Sequence, residues 1–426
     1  MLPTRYFAFL NRTGTMVRAA VCCGVGVAFL SMASAPAFAA EMDNLKQQLR
    51  DLQKRLDQIE SQQAAPPVVP ERFIRSGKKN VSLSISGQIS RASFFADDGT
   101  KNGIFHTDNE NSSTRWRFKG KAKINNEWTA GTLFEQDIED NRSVNVQIDQ
   151  DTSVNGSKGS VFDNRHMVIY LDSKSLGRLW IGKTNTASNN VVQNDLSGTG
   201  IVQYSGRGDL GGGFFFRTEG LPNAADGPKI GTVDDQMDGL SRRNLIRYDT
   251  PKFAGFQLRA SHIQGDAWDI AGWYSANYKQ AGLKVAAGVA YWQQGERTNS
   301  FHSGVGGSIS VLHSSGFNLT LAAATQDRED AASGGATDDP VTFYVKPGFQ
   351  FKATSLGKTA ISVGYGRTED LDANNDEYQN IYVAVVQNID AAALELFAFW
   401  EVNILDRDGQ DFENINIGGI GARMKF

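Results

Sequence analysis

Residues 115–124 read Arg-Trp-Arg-Phe-Lys-Gly-Lys-Ala-Lys-Ile, and this run constrains the fold more than any other. An extended chain points successive side chains to opposite faces. Arg115, Arg117, Lys119, Lys121 and Lys123 therefore share one face, and Trp116, Phe118, Gly120, Ala122 and Ile124 share the other. A soluble sheet would bury the second face on a core. Similar alternation recurs along the chain, and the better fit is a wall with lipid on one side and water on the other. That is the pattern of a transmembrane β-barrel.

Composition agrees. The 426 residues suffice for one large barrel or for two to three ordinary domains. Mean hydropathy is −0.36, and beyond the N-terminus there is no run of about 18 apolar residues, which argues against a bundle of membrane helices. A barrel escapes that test because only alternate residues need be apolar. The 44 glycines, 10 prolines and 10% aromatics suit many strands and turns.

The first 39 residues have the form of a cleaved secretory signal, with the chain starting at Met1 or Met16. Arg5, Arg12 and Arg18 form the positive flank, 19–33 the apolar stretch, and Ala37-Phe38-Ala39 an A-x-A cleavage site. Both cysteines, Cys22 and Cys23, fall inside it, which leaves the mature chain without disulfides or thiolate metal sites. At the other end, Ile420-Gly421-Ala422-Arg423-Met424-Lys425-Phe426 alternates again. An amphipathic strand closing on an aromatic is the form of signal read by the barrel-insertion machinery, so Phe426 is expected to serve as that signal.

Between the signal and the strands the period changes. Met42, Leu45, Leu49, Leu52, Leu56 and Ile59 are spaced 3, 4, 3, 4, 3, the seam of a short coiled coil over 40–63. At about 1.5 Å per residue the rod would be roughly 30 Å long. Three heptads are marginal alone, so its chains must be held together elsewhere. The alternative is one helix lying on the barrel mouth. Pro66, Pro67 and Pro70 end the helix, and a basic linker over 64–79 carries Arg72, Arg75, Lys78 and Lys79.

From residue 80 to 426 the chain reads as a barrel. Alternating segments lie at 81–89, 113–124, 128–134, 166–171, 178–182, 246–248, 256–260 and 268–278. Others lie at 283–291, 305–311, 317–323, 341–351, 359–365, 381–385, 394–400 and at the end. That makes sixteen, and bacterial single-chain barrels have even numbers. Tight connections at 125–127, 173–176, 279–282, 313–316 and 388–391 alternate with long acidic ones at 137–161, 327–340, 368–377 and 406–413. Short periplasmic turns and longer outer loops are the expected asymmetry.

With the strands placed, the chain resembles the general Gram-negative outer-membrane porins, a trimeric sixteen-stranded family. The resemblance covers 81–426. Its most specific pieces are Leu176-Gly177-Arg178-Leu179-Trp180-Ile181-Gly182-Lys183, Asn244-Leu245-Ile246-Arg247-Tyr248-Asp249-Thr250-Pro251, Phe253-Ala254-Gly255-Phe256 and Phe426. The N-terminal coiled coil departs from general porins and is similar to that of phosphate-selective porins. The resemblance implies an all-β barrel with an infolded third loop, about 184–241 here. It also implies passive diffusion of small hydrophilic solutes and ions through a water-filled channel, and a homotrimer in outer-membrane lipid and lipopolysaccharide.

By the same resemblance, acids on the loop face cations on the wall. The acids are Asp195, Asp209, Glu219, Asp226, Asp234, Asp235 and Asp238. The cations are Arg115, Arg117, Lys119, Lys121 and Lys123, with Arg178, Arg247 and Arg259. Such charge sets the sign of the local field. Two outcomes stay open. Glu135, Asp137 and loop acids neutralise the ladder, or the ladder makes a path for phosphate-like anions, which arginine and lysine suit. Removing the signal's three arginines takes the formal charge from −4 to −7.

No cofactor, catalytic or metal site and no nucleic-acid partner is expected. There is no His-Glu-x-x-His, the five histidines are scattered, and Gly304-Val305-Gly306-Gly307 lacks the helix and lysine of a phosphate loop. The rival class is an envelope tether or adhesin with a plugged lumen. The rod is expected to lie in the periplasm, where peptidoglycan is a further candidate partner.

Overall fold

The computed structural model describes residues 47, 48, 51, 74, 75, 80–149, 161–220, 227–295, 301–328 and 336–426. Two compact units divide the chain at 71/72. In the first, Gln47, Gln48 and Asp51 are helical. The seam residues Met42, Leu45, Leu49, Leu52, Leu56 and Ile59 lie outside the described residues, as do the signal and Asp226.

The second unit is built of strands. In chain order they are β1 (Ile74–Arg75), β2 (Val81–Asp97), β3 (Asn102–Asp108), β4 (Arg115–Lys123), β5 (Trp128–Glu139) and β6 (Val161–Ser173). Next come β7 (Gly177–Asn185), β8 (Arg242–Asp249), β9 (Phe256–Ile263), β10 (Trp268–Tyr278), β11 (Leu283–Gln293) and β12 (Phe301–His313). The last are β13 (Phe317–Arg328), β14 (Val341–Thr354), β15 (Gly357–Glu369), β16 (Glu377–Ile389), β17 (Leu394–Asp406) and β18 (Ile415–Lys425).

From β4 onward each strand pairs antiparallel with the next, and β18 returns to β2, with Ala422 opposite Arg91. The wall is a closed barrel of sixteen positions among the described residues, because β3 and β4 share the second one. At the seam Phe426 N donates to Gly87 O at 3.0 Å, and Gly87 N donates back to Phe426 O at 2.9 Å. A Cβ on Gly87 would lie 2.5 Å from the Phe426 ring. Glycine at 87 is what lets the terminal ring seat against the wall.

Three details depart from the sequence reading. β2 runs past Ile89 to Asp97 and turns into β3, a stretch where no strand was expected. Its inward residues Ala92, Phe94 and Ala96 are buried and apolar, so alternation of polarity vanishes there. The second strand starts at Arg115, not 113. Between the pairs Gln88–Arg115 and Arg91–Asp108, residues 109–114 stand opposite only Ile89 and Ser90. The surplus folds inward as a 3₁₀ turn, Glu110–Ser112. Finally, Ile74 and Arg75 of the supposed linker pair with Leu83 and Ser82 of β2.

The outer surface carries the apolar half of the alternation. Ile181, Leu258, Val289, Val383 and Trp400 are all exposed there. A surface this apolar is unstable in water, at about 25 cal/mol per Å². Aromatic pairs bound the band at both ends. Phe256–Tyr274 and Phe317–Phe349 sit toward the tight turns, with ring centres 4.4 and 4.7 Å apart. Trp268–Tyr291 and Phe343–Tyr365 sit toward the long loops. Trp268 and Tyr278 are the two ends of β10. At ~3.3 Å per residue and ~40° tilt, that span covers about 25 Å of membrane normal, the height of a barrel's apolar belt.

Candidate functional site

Between β7 and β8, residues 186–220 and 227–241 enter the lumen and follow one side of its wall. The path is fixed by polar contacts to successive strands. On β10, Asp269 accepts from Ser188 N at 2.8 Å and Ser188 Oγ at 2.6 Å. On β12, Ser308 Oγ accepts from Asn194 N at 3.0 Å, and Ser310 Oγ accepts from Leu196 N at 2.8 Å. On β15, Ser362 Oγ meets Thr199 Oγ1 at 2.7 Å, and on β16 Tyr382 OH donates to Val202 O at 2.6 Å.

Two buried cations pin the loop. Lys346 of β14, fully buried, donates to Asp195 Oδ2 at 2.6 Å and to Gln203 O at 2.7 Å. Arg207 of the loop pairs with Asp234 and donates to Thr342 and Thr368 at 3.0 and 2.7 Å. Beyond Arg207 the loop packs dry: Phe214 meets Phe105 with ring centres 5.2 Å apart, among Phe94 and Ile417. The backbone is crowded there, and a Cβ on Gly213 would lie 2.5 Å from Val146 O. A single helical turn, α1 (Ile230–Val233), is tied to this apolar part by Ile230 N donating to Phe214 O at 3.0 Å.

The opposite wall stays bare. Arg115 of β4, Arg165 of β6 and Arg242 of β8 line a cavity of about 350 Å³ with Glu110, Asp209, Asp235 and Asp238. A second cavity of about 300 Å³ shares Asn111, Gln193 and Tyr204 with it and reaches Arg423 and Glu395. The two cavities are neighbours, and in the first, a slot, Asp209, Asp235 and Asp238 stand on the loop side and the three guanidinium groups on the wall.

Of the three slot arginines, Arg115 and Arg165 are ion-paired, whereas Arg242 forms no ion pair among the described residues. Arg165 sits at a bulge where β6 gains a residue against Glu135 and Gln136. It donates to Glu135 at 2.9 Å and to Asp137 at 2.8 Å. Arg117 also pairs with Glu135, which is 1% exposed, and Arg115 reaches it at 3.5 Å. Glu110, carried in by the surplus residues before β4, takes Arg142 bidentately at 2.6 and 2.7 Å.

The loop acids divide. Asp209, Asp235 and Asp238 reach the slot, whereas Asp195 and Asp234 are spent on the pins. Asp195 edges only the second cavity. Glu219 is exposed and its N donates to Asp411 O, among the outer loops. Asp209 and Asp238 are half-exposed at their own surfaces, yet the protein packed around them disfavours charge. Burial pushes their carboxyls up to about 7 and about 8, against hydrogen bonds from Tyr204 and from the Asn190 and Val192 amides.

The remaining predicted cations lie elsewhere on the bare wall. Lys119, Lys121 and Lys123 are exposed, toward the tight-turn end. Arg178 stacks on Tyr170 and Trp180 at 4.7 and 5.0 Å, Arg247 on Trp180 at 4.8 Å, and Arg259 on Trp273 at 4.5 Å. None of these three lines the slot.

The sequence reading missed Glu110, Arg165 and Arg242. The imperfect alternation near 165–166 is the trace of the bulge. The paired Arg242-Arg243 before β8 was a second available signal. Glu110 left none.

Comparison with known proteins places these features. A family model described as Gram-negative porin matches residues 26–398. No curated protein matches. The anion-selective porin from Comamonas acidovorans superposes with a TM-score of 0.52 at 14% identity, over 81% of this chain and 100% of that one. OmpT of Vibrio cholerae gives 0.51 at 13% identity, over 83% and 100%. The channel DcaP of Acinetobacter baumannii gives 0.50 at 12% identity, over 83% and 99%. At these identities the likeness is one of fold.

Proposed function

This chain belongs to the Gram-negative porin family of outer-membrane channels, which are not enzymes, and from that premise we propose that solutes cross between the loop carboxylates and the arginine wall. The observation that carries the reading is the slot itself, with Asp209, Asp235 and Asp238 on one side and Arg115, Arg165 and Arg242 on the other. Polar solutes entering it exchange part of their hydration for these groups and orient in the transverse field.

Net preference is weakly anionic in this reading. Glu135 and Asp137 offset the upper ladder, but burial disfavours charge on Asp209 and Asp238 near neutral pH. Planar-bilayer recording tests this. Stepwise currents and a zero-current potential of anion sign in a KCl gradient are expected, and a sealed lumen would return the protein to the tether reading.

A homotrimer is proposed on one feature of the outer wall. Arg91 of β2 points outward, half-exposed, with its salt bridge to Asp108 at 2.7 Å. Ser93 and His106 are linked beside it at 2.7 Å. Arg91 stands opposite Ala422, so it lies roughly 10 Å above Phe426 along the membrane normal, inside the belt. Facing lipid, an arginine at that depth costs about 2–4 kcal/mol. A neighbouring subunit fits this face better. Unheated electrophoresis in mild detergent should show a heat-modifiable trimer, and Ser93→Trp should reduce it to monomer. A trimer unmoved by Ser93→Trp would put the contact on another face.

A further inference from the structure

We infer that the channel rectifies: its two mouths carry opposite fixed charge, and current flows more readily when the outer side is positive. The inference rests on the channel reading above and adds an axial asymmetry to it. At the tight-turn mouth Lys119, Lys121, Lys123, Lys284, Lys352 and Lys358 occupy inward positions of β4, β11, β14 and β15. All six are exposed and, among the described residues, none forms an ion pair. Lys284, Lys352 and Lys358 border one recess of about 460 Å³. Of the acids at this end, Asp172 is matched by Arg178 at 2.7 Å and Glu395 by Arg423 at 2.6 Å, while Glu127 and Asp390, without an ion pair among the described residues, are outnumbered by the lysines.

The long-loop mouth is the reverse. Asp266, Asp338, Asp339, Asp408 and Asp411 are exposed and form no ion pair among the described residues. Of the basic residues nearby, Arg407 is committed to Asp372 and Asp376 and Arg217 to Asp98 and Asp149, while Lys229, Arg243 and Arg328, which form no ion pair among the described residues, are outnumbered by these acids. Between the mouths lies the narrow slot.

Fixed charge of one sign gathers mobile ions of the other. Cations therefore carry current in the acidic half, and anions carry it in the basic half. When the outer side is positive, both carriers drift toward the slot and accumulate, so conductance rises. With reversed polarity both drift away, the slot empties of carriers and conductance falls. The effect needs wall charges to reach across the lumen. They do at 10 mM salt, where the Debye length is about 30 Å, and not at 1 M, where it is about 3 Å.

The test is a current–voltage curve from oriented single channels of the full protein in KCl. An Asp408→Cys variant, labelled from one chamber with a bulky membrane-impermeant maleimide, identifies the outer mouth. At 10 mM a ratio of roughly twofold or more between equal and opposite voltages is expected, larger with the outer side positive, closing to about one at 1 M. In the triple variant Lys284→Gln, Lys352→Gln, Lys358→Gln the low-salt ratio should fall toward one while the 1 M conductance holds. Symmetric low-salt currents, the opposite polarity, or a ratio unmoved by the triple variant would each overturn the inference while leaving the channel standing. Absence of any current at either salt would overturn the channel reading, and the rectifier with it.

Discussion

The two halves of the lumen wall are built on the same alternation yet end in opposite environments. From β10 to β18 the inward side chains away from the tight turns meet the loop. Ser310, Tyr344, Ser362, Tyr378, Tyr382, Phe397 and Phe399 are all buried. From β4 to β7 the wall carries exposed lysines, the stacked Arg178 and the ion pairs around Glu135, and the loop is first met at β8 and β9, where Ser261 Oγ accepts from Ala187 N at 2.7 Å. A lumen-facing position is therefore not wet by virtue of its strand. Coverage by the described loop residues, 186–220 and 227–241, decides it, and two buried cations hold that coverage in place.

Removing the pins should have the largest effect. Lys346→Met strands Asp195 and Arg207→Leu strands Asp234. Breaking a buried pair costs about 3–5 kcal/mol. With both changed the loop should leave its wall, raising mean single-channel conductance and open-channel noise. A quiet current of unchanged size would show that the dry contacts around Phe214 alone hold it.

The seam beside the bare wall comes next. Gly87→Leu forces side-chain atoms into the space of the Phe426 ring, a clash expected to cost about 1–3 kcal/mol. The variant should lose the heat-resistant folded band at a lower temperature than the parent. An identical melting profile would mean the terminal ring has another seat.

A smaller change tests the bare wall itself. In Arg115→Ser with Arg117→Ser, Glu135 keeps Arg165 at 2.9 Å, so the fold should hold. One cation lost from the slot lining and a second lost beside it, at about 1 kcal/mol each in a water-like medium, should move the permeability ratio about fivefold or more toward cations. An unmoved zero-current potential would place the selective zone outside the slot.

The smallest predicted effect is on the loop side. Because Asp209 and Asp238 have raised carboxyl pKa values, about 7 and about 8, they are mainly neutral at pH 6 and mainly charged at pH 9. Raising the pH across that window adds negative charge to the slot, so cation permeability should climb. Asp209→Asn with Asp238→Asn should flatten the profile. A wild-type profile already flat from pH 6 to 9 would remove these two groups from the selective zone.

All sixteen wall positions, the tight turns and the limits of the long loops were legible in the sequence, because a wall between lipid and water writes a two-residue period into the chain. The resemblance supplied the infolding of 184–241. What stayed hidden were contacts between segments distant in sequence. Nothing local distinguishes Asp195, which meets a buried lysine 151 positions away, from Asp238, which borders the slot. The stretch around Phe94 was illegible because its inner face is as apolar as its outer one.

By itself, then, the sequence determined a barrel, its strand number and which face of each strand meets lipid, since those follow from solvent preference residue by residue. Only the tertiary structure decided which half of the lumen is open, which loop acids reach the passage and which are consumed as anchors. Those outcomes depend on where one long segment lies against the wall, and burial of that kind is a property of pairs of surfaces that no single stretch of chain encodes.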